Sequence, residues 1–360
     1  MLRSKWIGVF ALAVLCSHAQ AEDACLRDLE DIAAFMPVND AGAEAALRHH
    51  GTSIEASLQA ARQKAPQAAD ENQCTAVLNG YLHAWRRGHL SLSFWPWRSQ
   101  GAATAPGKEE PDALAASLKV LGKRTVLLTF PTFDDDYRRD IGQLLENNRK
   151  TLESHPFWIV DVRRNNGGDD ETFEPLLPWL QSGASVTPGV AWLSTPANLK
   201  AQEDICSLSS DQPACQKTIA PVVAALRETP AGQYVLAKGW PATLYDSSPK
   251  LEKRAPQQVA VLIDHLCGSS CEQFLLLVRQ SQRVKLLGRP TSGELDVSNL
   301  RPHVLASGTR VLFYATTRSL RLPAMPIDDI GVQPDILLPQ SSADDEVRHV
   351  QHWLEGGSLE

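Results

Sequence analysis

The sequence predicts an α/β fold with a helical N-terminal subdomain. Apolar runs rich in β-branched residues, such as Phe157–Asp161 and Val259–Ile263, alternate with amphipathic stretches such as Tyr137–Leu152. Alternation of that kind argues for a sheet with helices covering its faces. Ahead of it, residues 22–90 carry apolar side chains mostly at helical spacing. At 43 % hydrophobic residues, the chain can bury a large core.

Residues 1–21 read as a signal peptide. Arg3 and Lys5 precede the apolar run Trp6–Cys16, and Ala19-Gln20-Ala21 supplies the small residues a signal peptidase needs before Glu22. The apolar run is shorter than the roughly 20 residues of a membrane-spanning helix. The chain is therefore expected to be exported, periplasmic or secreted, with no membrane insertion after cleavage.

Residues 22–95 form the helical subdomain. Leu26, Leu29, Ile32, Ala33 and Met36 recur at helix spacing, as do Ile54, Leu58 and Ala61, then Val77, Leu78, Tyr81 and Leu82. Breaks are expected at Pro37, Asn39 and Pro66, and Leu90–Phe94 alternates like a strand. Residues 96–116, with Pro96, Pro106 and Pro111, read as a linker or loop. Residues 117–340 form the α/β core. Its strands are expected at Leu118–Leu121, Thr125–Phe130, Phe157–Asp161, Val259–Ile263, Val284–Leu287 and Arg310–Tyr314. Its helices are expected over Tyr137–Leu152, from Phe173 and from Ser270. Residues 183–255 are rich in Pro and Ser and yield one helix near Ala220–Leu226, and residues 341–360 read as a C-terminal tail.

Loss of Arg3 and Lys5 with the leader moves the net charge from −7 to −9. That balance disfavours nucleic acid and anionic membrane surfaces as partners. Cys16 also leaves, so six cysteines remain: Cys25, Cys74, Cys206, Cys215, Cys267 and Cys271. An even count in an exported chain favours disulfides. Cys206 and Cys215 flank a short polar loop and suit a local bridge. Cys25 and Cys74 would tie the helical segment together. Cys267 and Cys271 bracket Ser269, either bridged or packed as free thiols. No pair has the two-residue spacing typical of a zinc site, so no metal and no cofactor is expected.

Ser269 follows an apolar strand and opens a helical stretch, where free N–H groups and the helix dipole favour a developing negative charge. The Ser270 N–H is then a natural oxyanion donor. A second donor needs backbone that can approach a substrate closely, which the Asn165-Asn166-Gly167-Gly168 turn offers through Gly167 or Gly168. Both features also have ordinary explanations. Ser269-x-x-Glu272 is a capping box, and Asn-Asn-Gly-Gly is a common turn.

Together these segments resemble serine peptidase family S41, the C-terminal processing and tricorn core peptidases. Asp161-Val-Arg163-Arg-Asn165-Asn-Gly167-Gly168 matches the family's Asp-x-Arg-x-Asn-x-Gly-Gly signature, and Ser269-Ser-Cys-Glu272 its nucleophile motif. Gly288-Arg-Pro-Thr291-Ser-Gly293 and Gly331-Val-Gln-Pro334-Asp335 resemble two further turns in the same order. The resemblance implies a ClpP/crotonase-like α/β core that hydrolyses peptide bonds in peptide or protein substrates. It makes Ser269 the nucleophile, with Ser270 N–H and Gly167 or Gly168 as oxyanion hole, and Glu272 a capping support.

Processing peptidases place a lysine base about two dozen residues after the serine, where this chain reads Ser292-Gly-Glu294-Leu-Asp296. The tricorn-like branch uses an upstream histidine instead. Arg87-Gly-His89-Leu-Ser-Leu92 resembles that motif, with Arg87 in place of an acid, so His89 is the expected base and His265 its competitor. The acid that orients it falls at Asp328 or Asp329, with Glu294 as a further option. Too few residues separate His89 from Leu118 for the PDZ domain that processing peptidases usually carry. The alternative function is a catalytically inactive protein of the same fold that binds a peptide or small ligand; an esterase or other acyl-transfer enzyme is a third.

Overall fold

A computed structural model describes residues 8–95, 114–208, 212–238, 243–246 and 250–358. The start of the expected signal peptide and most of the expected 96–116 linker lie outside the described residues. The chain begins with helices α1 (Gly8–Asn39), α2 (Ala43–Lys64) and α3 (Glu71–Leu82), then strands β1 (Ser91–Phe94), β2 (Ser117–Val120) and β3 (Thr125–Thr129). Next come α4 (Arg138–Asn147), α5 (Arg149–Ser154), β4 (Phe157–Asp161), α6 (Asp170–Phe173), α7 (Leu177–Leu180), β5 (Ser185–Pro188) and β6 (Val190–Leu193). Then follow α8 (Pro196–Asp204), α9 (Gln212–Glu228), β7 (Tyr234–Val235), β8 (Thr243–Asp246), β9 (Gln258–Ile263) and α10 (Ser270–Val278). The last elements are β10 (Val284–Gly288), β11 (Val297–Val304), β12 (Arg310–Ser319), β13 (Ile336–Leu337) and α11 (Ala343–Leu354). No described helix is long and apolar enough to cross a membrane.

The chain divides into two compact units, one of residues 1–103, 190–240 and 297–318, the other of 104–189, 241–296 and 319–360. These boundaries differ from the expected ones. The 117–340 stretch sends two excursions into the helical unit, where β6, β11 and β12 join one sheet with β1. Residues 341–360 carry α11 rather than a bare tail, because Val347, Val350 and Leu354 give it an apolar face to bury.

In the helical unit, Leu29, Ile32 and Met36 of α1 pack with Ile54 and Leu58 of α2 and with Leu78, Tyr81 and Leu82 of α3. The Cys25–Cys74 bridge joins α1 to α3, and Cys206–Cys215 ties the turn after α8 to α9. Helix α1 runs through Pro37 to Asn39, past the expected break, and the Asn39 amide donates to the Phe35 carbonyl at 3.0 Å. The sheet has the order β1-β12-β6-β7, with β11 antiparallel to β12.

The α/β unit holds a six-stranded sheet in the order β13-β10-β9-β4-β3-β2. Strands β3, β4, β9, β10 and β13 are parallel, and β2 is an antiparallel edge. Both faces are covered, which is why β4 and β9 read as continuous apolar runs. Trp158, Val160, Val259, Val261 and Ile263 face the core shared with α4, α6, α7 and α10. Phe157, Ile159, Ala260 and Leu262 face α11. The expected helix Tyr137–Leu152 is two helices, because Asn148 turns its own side-chain amide onto the Leu144 carbonyl at 2.8 Å. The register pairs Asp161 with Leu262 and Ile263 with Gly288, so β4, β9 and β10 end side by side. In a parallel sheet, the loops leaving those carboxyl ends build the functional site.

Candidate active site

Strand β9 ends at Ile263, and Asp264 organises the turn that follows. Its Oδ1 accepts the Arg164 and Leu266 N–H groups, each at 3.0 Å. The chain then enters Ser269 with φ 55° and ψ −122° before α10 begins. A left-handed serine at a sharp strand-to-helix turn is strained and persists only where its surroundings over-determine it. The Cys267–Cys271 bridge spans the turn with Cα atoms 5.5 Å apart, and both cysteines are fully buried.

The capping-box expectation fails. Ser269 occupies the N-cap position but makes no side-chain cap bond. A capping serine needs extended backbone angles, which φ 55° precludes. Glu272 does not cap either. Its buried carboxylate accepts the Thr291 hydroxyl, the Gly293 N–H at 2.8 Å and the Glu294 N–H at 3.0 Å. Burial pushes the Glu272 carboxyl upward in pKa, against those three bonds. The neighbouring Ser270 donates its hydroxyl to the Gly168 carbonyl at 3.0 Å, which ties the start of α10 to the Asn165–Gly168 loop.

The Asn165–Gly168 loop lies against this elbow. Asn165 is fully buried; its amide donates to the Phe130 carbonyl at 2.9 Å, and its own carbonyl accepts the Gly268 N–H at 3.1 Å. Its Oδ1 accepts the Gly167 N–H at 3.0 Å. A Cβ on Gly167 would come 2.8 Å from the Gly268 oxygen and 2.8 Å from the Ser269 Cβ. A Cβ on Gly168 would strike the Phe133 carbonyl at 2.3 Å. Positive φ at both positions, 98° and 141°, adds to the demand for glycine. The other two signature residues face away from the loop: Arg163 forms a 2.5 Å pair with Asp161 and a 2.6 Å pair with Glu346 of α11.

The downstream turns are fastened to the same frame. Thr291 Oγ accepts the Val332 N–H at 2.6 Å, and Asp329 N–H donates to the Gly293 carbonyl at 3.1 Å. The Asp296 carboxylate accepts the Ile327 and Asp328 N–H groups, while Asp328 Oδ1 accepts the Asp296 N–H at 2.7 Å. Asp328 is half-buried, whereas Asp329 is exposed with φ 67°. Glu294 packs beside Gly268, accepts the Ser292 hydroxyl at 3.0 Å, and is pushed up in pKa by burial.

The histidines differ sharply. His265 is exposed on the turn before Ser269. His89 belongs to the helical unit, with φ 54°, and its Nδ1–H donates to the Val297 carbonyl. A carbonyl only accepts, so that bond fixes the tautomer whose lone pair is on Nε2. Burial lowers the His89 pKa below 6.5 and the Arg86 charge adds to this, opposed by the Val297 bond and by Asp40. Arg87 is exposed. Among the described residues, no cluster of His, Cys, Asp or Glu is placed to hold a metal.

Sequence reasoning missed the tie from Glu272 to the 291–294 turn and the role of Asp296. The string Ser-x-x-Glu gives no sign of a partner some twenty residues downstream, and only the acid's near-total burial reveals it.

The solved structure of mature CPAF resembles this fold at TM-score 0.63 and 12 % identity, covering 93 % of this chain and 96 % of that one. A lipoprotein from Streptococcus agalactiae resembles it at TM-score 0.51 and 13 % identity, over 93 % and 96 % of the two chains. A putative peptidase from Parabacteroides merdae gives TM-score 0.50 and 14 % identity, over 89 % and 91 %. A comparison with curated proteins finds no match. The sequence profile of peptidase family S41 matches residues 124–338, which span the Asn165–Gly168 loop, Ser269 and the two downstream turns. The chain therefore belongs to peptidase family S41.

Proposed function

We propose that this protein is an exported serine peptidase working through an acyl-enzyme, with Ser269 as nucleophile and His89 as base. The observation that carries the reading is the Ser269 elbow, a left-handed serine at a helix start with the backbone of Gly167 packed against it. Three disulfides, two of them within the helical unit, suit an oxidising compartment.

In this reading the Ser269 hydroxyl attacks the peptide carbonyl while His89 Nε2 takes its proton. The oxyanion is held by Ser270 N–H and Gly168 N–H. Gly168 is preferred to Gly167 because the Gly167 N–H is already given to Asn165. His89 returns the proton to the leaving amine, and water then releases the acyl group by the same route. With the His89 Nδ1–H given to the Val297 carbonyl, that carbonyl orients the ring, and Asp328, half-buried and held by the Asp296 N–H, is favoured over the exposed Asp329 as the charge that steadies the protonated imidazole.

A fluorophosphonate probe tests the proposal. Labelling should vanish in Ser269→Ala and persist in Ser270→Ala, and His89→Ala should slow it by about 10³-fold or more. Lactacystin, complexed with mature CPAF in one solved structure, offers a second probe of the same serine. A folded wild-type chain that takes no label and cleaves no peptide would overturn the proposal in favour of a binding protein.

A further inference from the structure

A left-handed backbone costs a residue with a side chain roughly 1–2 kcal/mol, and His89 adopts one. Such a conformation persists only where its surroundings over-determine it. Within the helical unit the constraint is visible. Past the end of α3, Arg86 donates from Nε to the Gly88 carbonyl at 2.9 Å and from one Nη to the His89 carbonyl at 3.0 Å. The same guanidinium is gripped by both oxygens of Asp40, at 2.5 and 2.7 Å. Asp40 is 1 % exposed, and its carboxylate also accepts the Gly42 N–H at 2.8 Å and the Ala315 N–H at 3.1 Å. One carboxylate thus anchors to the end of α1 and to β12, and one guanidinium carries that anchor to two successive carbonyls of the histidine turn. Gly42 leaves the room for it: a Cβ there would lie 2.8 Å from Arg86 Nη1.

We infer that Arg86, held by Asp40, is the positioning residue that fixes the His89 turn and so the imidazole's aim; this rests on the reading of His89 as the base. A buried ion pair is by itself a weak source of stability. What only arginine supplies here is a planar fork that meets two carbonyls and a carboxylate at once. Lysine, with the same charge, cannot make all of those bonds.

The test compares Arg86→Lys, Arg86→Gln and Gly42→Ala with Arg310→Lys in the full, oxidised chain. Arg310 forms another buried pair of this unit, with Asp28 at 2.8 Å, and serves as the purely structural control. All four variants should lower Tm. The Arg86 variants should also lower kcat by about 10²-fold with KM little changed, the cost of a small misplacement of a catalytic group. Gly42→Ala, which nudges the guanidinium from one side, should fall between wild type and Arg86→Lys and keeps the test open if the arginine variants do not fold. ¹⁵N NMR of the His89 ring should show the Nδ1–H tautomer depleted in the Arg86 variants and intact in Arg310→Lys. Folded Arg86 variants with wild-type kcat and an unchanged tautomer would overturn the inference. A wild-type chain without activity would sink the base assignment instead, and the tautomer measurement would still decide the role of Arg86.

Discussion

Gly167 lies directly against Ser269, close enough that a Cβ on the glycine would come 2.8 Å from the serine's own. The relationship ties two loops far apart in sequence into one surface, and the register of β4 with β9 creates it by ending both strands at the same level. Asn165 then locks it, bonding Gly268 through its carbonyl and Gly167 through its side chain.

Gly167→Ala should therefore damage the site more than the fold. The added methyl meets backbone that cannot swing away, and φ 98° adds a left-handed cost of about 1–2 kcal/mol. In the proposed reading the Gly168 N–H holds the oxyanion, and loss of such a donor costs about 10²-fold or more in kcat. Gly51→Ala is the contrast: it sits inside α2 with nothing within 4 Å, and should gain up to about 1 kcal/mol with activity unchanged. Denaturant unfolding and probe-labelling rates of both variants check this.

The sheet strands that position the site were legible because β4 and β9 are buried on both faces and so read as unbroken apolar runs. Proximity made the Cys206–Cys215 pair legible and left Cys25 to Cys74, whereas Cys267 and Cys271 stood open between a bridge and free thiols. Other features were not, because their partners are distant. Asp40 and Arg86 are separated by 46 residues, and nothing local in either segment names the other. Strands β6 and β7 are short, and the place of β6 beside β12 and of β7 beside β6 follows from pairing rather than from pattern. The helix period also continues across Asn148, although that residue's side chain ends α4.

The three disulfides should separate stability from activity. By loop-closure entropy, opening Cys25–Cys74 costs about 4 kcal/mol and opening Cys267–Cys271 about 2, since they span 49 and 4 residues. The paired Cys267→Ala, Cys271→Ala variant should nonetheless lose more activity per kcal/mol, because it frees the turn that holds Ser269 in its left-handed conformation. The Cys25→Ala, Cys74→Ala variant should lower Tm further while the folded fraction labels at the wild-type rate. The reverse ranking of labelling rates would show that the short bridge does not support the nucleophile.

The pH profile should carry the signature of His89. Burial holds its pKa below 6.5, so the neutral, proton-accepting form persists below the range where an exposed histidine would already be charged. Fluorophosphonate labelling at constant folded fraction should stay level from pH 8 down through about 6.5 and fall only below it. The same shift acts on stability. The unfolded chain binds this proton more readily, so the contribution is fully present above 6.5 and is lost as pH falls through the folded pKa. A labelling midpoint above 6.5 would remove His89 as the base.

Glu346 sets the acid limit of the α/β unit. Its carboxylate is 2 % exposed and is held by Arg289 and Arg163, each at 2.6 Å. Burial alone would raise its pKa, but the two arginine bonds win and hold it below 4.5. A carboxyl depressed in the folded state contributes stability above its unfolded value and loses it as pH falls through the folded one. Neutralising the acid leaves the Arg289 guanidinium without its Glu346 counter-charge and Arg163 with Asp161 alone, and breaking a buried pair costs about 3–5 kcal/mol. Glu346→Gln should therefore lower stability at pH 7 by that order and flatten the further loss between pH 5 and 3. Arg163 also grips Asp161 at the end of β4, so the weakening should travel to the strand that launches the Asn165–Gly168 loop. Hydrogen exchange at Val162 and Asn165 should quicken in the variant ahead of the rest of the sheet, and uniform quickening across all strands would place the effect in global stability alone.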